Sequence, residues 1–221
     1  MAVLIINFKT YPQGTGETAV DLAKIAEKVA NETGKDIILA VDAVDLEEVA
    51  EAVKIPVFAQ HIDAVEFGSH TGSIVPEVVK EAGATGTLIN HSERRLDREV
   101  IQKTVQRAKQ AGLRVCICAQ TPDEAAELSD LHPEFVAYEP PELIGGEISV
   151  SSAKPEVIKE AVDKVKARNP DVKVLAGAGV KDANDVRIAL QLGAEGVLAA
   201  SHIVKAKDPE KIIKEMADAL V

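Results

Sequence analysis

The chain holds no tryptophan, two tyrosines, four phenylalanines, two cysteines and two methionines among 221 residues. With aromatics this scarce the core must be aliphatic, and 46% hydrophobic content suffices to build one, which excludes a disordered chain. Basic residues are outnumbered, 25 Lys and Arg against 36 Asp and Glu, for a net charge of -11. Nucleic-acid binding needs clustered positive charge, and the Arg94-Arg95 pair is too short to supply it, so no nucleic-acid partner is expected. No apolar run reaches the roughly 18 residues a membrane span needs, so no membrane partner is expected. Met1 to Thr10 carry neither a basic n-region nor a small-residue cleavage site, so no secretory signal is read. Cys116 and Cys118 stand two apart in a strand-like run and share one face. They read as small core thiols, since a metal site would need more ligands nearby. A cytoplasmic location is expected.

What the chain does have is alternation. Short β-branched runs recur at Val3–Asn7, Asp36–Val41, Pro56–Gln60, Gly86–Asn90, Arg114–Ala119, Phe135–Tyr138, Lys173–Ala176 and Gly196–Ala199. They lack polar alternation, as strands buried on both faces should. Amphipathic stretches lie between them, among them Glu17–Glu32, Asp97–Ala111 and Pro155–Lys166, with Pro209–Leu220 at the end. Gly34, Gly83, Gly112 and Gly193 follow helical stretches, where a left-handed cap favours glycine. Eight strand-then-helix units of about 28 residues predict a closed (β/α)8 barrel of eight parallel strands, near the short end of its size range. The rival, an open doubly wound sheet, would want a glycine-rich loop after an early strand, and Asn7-Phe8-Lys9-Thr10 is not one. No linker divides the chain, so residues 1–221 read as one domain.

Barrel enzymes carry their chemistry where strands end. Those ends hold Asn7 and Lys9, then His91-Ser92-Glu93-Arg94-Arg95, then Glu139 followed by Pro140 to Gly146, then Gly177-Ala178-Gly179, and finally Ala200-Ser201-His202. Singly each has a plain reading: a solvated loop charge for Lys9 or Glu139, a helix cap for His91, a tight turn for the glycines. Together they place a carboxylate, an imidazole and an ammonium at one end of one barrel. Proton abstraction beside a carbonyl needs such a set. The small residues of the last two loops suit backbone N–H groups to a phosphate. His91 precedes an expected helix start at Ser92, whose positive end would disfavour imidazolium.

Seven segments in order resemble the triosephosphate isomerases, specifically their short archaeal form. They are Asn7-Phe8-Lys9, Ala59 to Asp63, Gly68 to Gly72, Ile89 to Arg95, Ala137 to Gly145, Gly177 to Val180, and Val197–Ser201. The resemblance covers the whole chain. It implies interconversion of dihydroxyacetone phosphate and D-glyceraldehyde 3-phosphate through an enediol(ate), in glycolysis and gluconeogenesis, without metal or cofactor. By the same resemblance Glu139 is the base and His91 a neutral electrophile, the pairing for which this family is the standard example. Lys9 holds substrate and developing charge, Asn7 orients the site, and Glu93 is an acid beside Lys9. Backbone groups at Ile144, Gly145, Gly179, Ala200 and Ser201 grip phosphate, and Pro140 to Gly146 form a closing lid. His70-Thr71-Gly72 resembles the loop that inserts into a neighbouring subunit, which implies a homodimer or homotetramer. His61 and His132 read as structural.

Three positions depart from the pattern: Gly146 and Glu147 at the lid exit, and His202 where the archaeal members prefer glycine. His202 reads either as a solvent-facing loop histidine or as a phosphate contact that tightens binding when protonated, below about pH 6.5. The alternatives to the isomerase are another sugar-phosphate barrel enzyme, such as a ribulose-phosphate epimerase, and a catalytically silent phosphate-binding barrel.

Overall fold

The computed structural model describes residues 2–140 and 155–220. Among them β1 (Val3–Asn7), β2 (Asp36–Val41), β3 (Val57–Ala59), β4 (Gly86–Ile89), β5 (Arg114–Ala119), β6 (Phe135–Tyr138), β7 (Lys173–Ala176) and β8 (Gly196–Ala199) pair in parallel and in chain order. Val3 is in register with both Asp36 and Gly196, which closes the sheet on itself. Closure is tight at that seam. Gly196 has φ 151, and a Cβ there would lie 2.2 Å from the Val3 carbonyl oxygen, so a side chain is excluded.

Strand residues divide by the two-residue period. Val3, Ile5, Ile38, Ala40, Phe58, Leu88, Cys116, Cys118, Phe135, Ala137, Leu175 and Leu198 fill the barrel interior. Their neighbours Leu4, Ile6, Ile37, Leu39, Ile117, Val136, Val174 and Val197 face the helices in a second, outer core. Both faces are apolar, which is why the strands show no polar alternation, and each fully buried Val, Leu or Ile contributes about 1.5–3 kcal/mol. At the N-terminal end of the barrel the Arg114 guanidinium lies 5.4 and 5.6 Å from the Phe58 and Phe135 rings and bonds Glu134 with both its Nε and an Nη.

The helices are α1 (Glu17–Thr33), α2 (Leu46–Ala52), α3 (Pro76–Glu81), α4 (Arg98–Gln110), α5 (Pro122–Ser129), α6 (Pro155–Arg168), α7 (Ala183–Gln191), α8 (Ser201–Val204) and α9 (Pro209–Asp218). Gly34 caps α1 at φ 67, returning its N–H to the Ala30 carbonyl. Three sequence expectations need correction. β3 is shorter, Val57–Ala59 rather than Pro56–Gln60. β4 ends at Ile89 rather than Asn90, because Asn90 turns out of the strand with φ 63. No helix begins at Ser92; Ser92 and Glu93 form a turn closed by the Arg94 N–H on the His91 carbonyl at 2.7 Å, and α4 starts six residues later at Arg98. Nothing apolar in residues 92–95 gives a helix a face to bury there.

Candidate active site

Strand parity aims the site. Asn7 continues the inward stripe of Val3 and Ile5, and Glu139 continues that of Phe135 and Ala137, so both enter the C-terminal mouth of the barrel. Both are buried, Asn7 at 4% and Glu139 at 2% exposure. Lys9 and His91 arrive by backbone turns. Lys9 has φ 50 and Asn90, just before His91, has φ 63, a left-handed conformation that costs a non-glycine residue roughly 1–2 kcal/mol. Hydrogen bonds hold each turn. The Lys9 N–H donates to Asn7 Oδ1 at 3.0 Å, and Gln60 Nε2 donates to the Lys9 carbonyl at 2.9 Å. Asn90 Nδ2 donates to the Cys118 carbonyl, and Asn90 Oδ1 accepts from the Leu96 N–H, both at 2.9 Å.

The groups so delivered meet. His91 Nε2 lies 3.3 Å from Glu139 Oε1, and the Ser92 N–H donates to Glu139 Oε2 at 3.3 Å. The Glu93 N–H donates to His91 Nδ1 at 3.1 Å, and Glu93 Oε1 lies 2.7 Å from Lys9 Nζ. An Nδ1 that accepts a hydrogen bond carries no proton, which leaves the neutral imidazole with its hydrogen on Nε2, facing the carboxylate. Burial pushes His91 down to about 4; the Glu93 carboxylate opposes this and the Lys9 ammonium reinforces it. A neutral imidazole therefore arises from burial, a nearby cation and a turn N–H rather than from a helix end. Burial also drives Glu139 up to about 7, against the lowering pull of the Ser92 N–H, the Cys118 thiol and Lys9. A base with that value is matched to work near neutrality.

Asn7, Lys9, His91 and Glu139 share a cavity with Gly179, Ala200 and Ser201. Among the described residues the N–H groups of Gly179, Ala200 and Ser201 meet no backbone acceptor, so three donors remain for a ligand anion. Of the expected lid, Pro140 to Gly146, all but Pro140 lies outside the described residues, Ile144 and Gly145 included, as does Glu147. Among those described, no three His, Cys, Asp or Glu side chains converge to hold a metal.

Several contributors escaped the sequence reading. Gly177 leaves room for the base, since a Cβ there would sit 2.8 Å from Glu139 Cγ. Asn90 and Gln60 fix the two strained turns; an asparagine directly before the strand-end histidine, a residue type tolerant of positive φ, was the available signal for the first. Cys118, a core thiol as expected, also pulls the proton affinity of Glu139 down. Of the remaining histidines, His61 pairs with Asp63 at 3.0 Å while Asp63 also accepts from Ile74, tying the base of the 64–73 loop, and His132 pairs with Asn169 at 2.8 Å.

Fold and geometry thus define a class, a barrel enzyme able to shift a proton beside a carbonyl group. A model of the triosephosphate isomerase family matches residues 2–216, and the chain belongs to that family. Triosephosphate isomerases of Methanothermobacter thermautotrophicus and Archaeoglobus fulgidus are 49% and 48% identical to it, over 97% and 100% of this chain and 93% and 99% of theirs. That of Methanobacterium bryantii is 46% identical over 99% of this chain and 96% of its own. A crystal structure of triosephosphate isomerase from Bartonella henselae superposes with a TM-score of 0.81 over 99% of this chain and 98% of that one, at 21% identity, and speaks for the fold alone. The chain is accordingly an aldose–ketose isomerase, as its motifs led us to expect.

Proposed function

We propose that this chain interconverts dihydroxyacetone phosphate and D-glyceraldehyde 3-phosphate, with Glu139 as the base. Substrate enters with its carbonyl against His91 Nε2–H and its phosphate toward Gly179, Ala200 and Ser201. Glu139 takes the proton from the carbon beside the carbonyl. The electron pair moves into the carbonyl, and the oxyanion that forms is met by the His91 N–H and the Lys9 ammonium. The hydroxyl on the deprotonated carbon gives its proton to that oxyanion by way of His91, and Glu139, its proton exchangeable with water, protonates the former carbonyl carbon, so the carbonyl changes place with no net oxidation. Asn7 keeps Lys9 in its strained turn, Glu93 orients the ammonium, and Ile144 and Gly145 complete the phosphate grip. The observation that carries the reading is the 3.3 Å approach of His91 Nε2 to a carboxylate raised to about 7 by burial.

The reaction belongs to glycolysis and gluconeogenesis in the cytoplasm of an archaeon, an origin that the archaeal relatives support. No helix among the described residues is long and apolar enough to cross a membrane. Residues 1–221 form one barrel domain that self-associates as a homodimer or homotetramer through His70-Thr71-Gly72. Exposed Val44, Phe67 and Val78 support this, at 90%, 68% and 49% exposure. A coupled assay of glyceraldehyde 3-phosphate turnover on the wild type and on Glu139→Ala tests the reaction. Turnover lost only in the variant supports it. A folded wild type that binds 2-phosphoglycolate without turning over triose phosphate would instead be a silent barrel.

A further inference from the structure

The phosphate end of the cavity has a charge pattern that the reaction as described does not use. His202, an exposed residue one beyond Ser201 in α8, is among the residues that line it there. That helix has four residues, so its dipole offers an anion little, and backbone N–H groups alone would have to hold a phosphate dianion in a chain of net charge -11. Two lysines act on His202 through their charge. The Lys205 ammonium lies 5.1 Å from the centre of the Tyr11 ring, itself part of the cavity wall, and Lys181 follows the cavity-lining Val180. The carboxylates facing His202 are Asp182 and Asp185, and both are engaged with backbone. Asp182 accepts from the Asn184 and Asp185 N–H groups at 2.9 and 3.0 Å, and Asp185 accepts from the Lys181 N–H at 3.0 Å.

We propose that His202 is a phosphate-binding side chain that takes up a proton as the phosphate of the substrate settles between the loops after β7 and β8. The inference rests on the isomerase reading and deepens it. His202 is exposed at the cavity rim; partial desolvation, Lys181 and Lys205 lower its proton affinity in the free protein below the ordinary histidine value, against the weaker pull of Asp185 and Asp182. A bound dianion reverses the local field, favours the imidazolium and gains a charge-assisted hydrogen bond. Proton uptake then accompanies binding between the free and the bound proton affinities of the ring. The gain in affinity is present at low pH and vanishes as pH rises through the bound value.

The test is calorimetric titration of 2-phosphoglycolate into the wild type, His202→Asn and His202→Lys, from about pH 5.5 to about pH 8, in buffers of different ionisation enthalpy. Both the second ionisation of the ligand, near about 6, and the Glu139 carboxyl are common to all three proteins and cancel in the comparison. The expected result is that His202→Asn weakens binding by about fivefold at the acid end and not at the alkaline end, and takes up fewer protons than wild type. His202→Lys should bind tightly throughout, with the same reduced uptake. Equal weakening at every pH would assign His202 a merely structural part and overturn the proposal, as would identical proton uptake in wild type and His202→Asn. A wild type that prefers 2-phosphoglycolate no more than inorganic phosphate would overturn the isomerase reading itself, which the turnover assay reports separately.

Discussion

Replacing Glu139 by Gln should stabilise the protein at neutral and alkaline pH even as it removes the base. The carboxyl is 2% exposed and is raised from 4.5 to about 7, so between these values the folded chain holds a proton that the unfolded chain has released. Folding stability tied to this group is fully present below about 4.5 and is lost as pH rises through about 7. At about 1.4 kcal/mol for each tenfold in proton affinity, ionising the buried group costs the fold roughly 3 kcal/mol. Glutamine carries no such cost. It keeps one acceptor oxygen for the Ser92 N–H and gives up the other, an offset of about 1–2 kcal/mol that carries no titration of its own. His91 contributes the opposite slope: held at about 4, it binds a proton in the unfolded chain first, so its contribution grows as pH rises from about 4 to 6.5. The two slopes largely cancel in the wild type between about 4.5 and 6.5, and Glu139→Gln removes the cancellation. Urea unfolding of both proteins at one protein concentration should show the stability difference, variant minus wild type, rising by roughly 3 kcal/mol from about pH 4.5 to about pH 8. In melting temperature that rise is worth about 6 to 12 °C. A difference flat in pH would refute the argument that burial raises this carboxyl.

His91→Ala should lower kcat by about a hundredfold or more, the cost typical of a lost oxyanion donor, with unfolding midpoints showing that the barrel persists. In the wild type kcat/KM should fall on the acid side as Glu139 gains its proton near about 7, with no His91 ionisation visible until about 4. Gly177→Ala should keep the fold, since Gly177 does not occupy a positive φ, yet push Glu139 aside from 2.8 Å and lower kcat about tenfold or more while changing KM less. Asn90→Ala, which removes both hydrogen bonds of a strained turn, should destabilise the chain by about 2–4 kcal/mol in urea unfolding and lower kcat through a displaced His91.

Much of this was legible in the one-dimensional pattern. Val3–Asn7, Asp36–Val41 and Arg114–Ala119 are strands over the ranges read from sequence, because apolar β-branched runs between turn residues leave little choice of ends. Parity then carries Asn7 and Glu139 into the barrel mouth. The stretch after β4 was misread for a physical reason. His91-Ser92-Glu93 looks like a helix cap, whereas the chain needs the left-handed Asn90 and a turn to swing His91 inward, and dihedral angles are not written in composition. The clearance at Gly177 depends on the lateral register of Tyr138 with Ala176, a relation between strands far apart in sequence. The proton affinity of Glu139 depends on the burial that results, so it follows only once the barrel is closed.

The central claim is that Glu139 moves a carbon-bound proton. Dihydroxyacetone phosphate incubated in heavy water with the protein and followed by proton NMR tests it most directly. The account predicts deuterium entering one hydrogen position beside the carbonyl with the wild type and none with Glu139→Gln. Exchange that persists undiminished in the variant would contradict it.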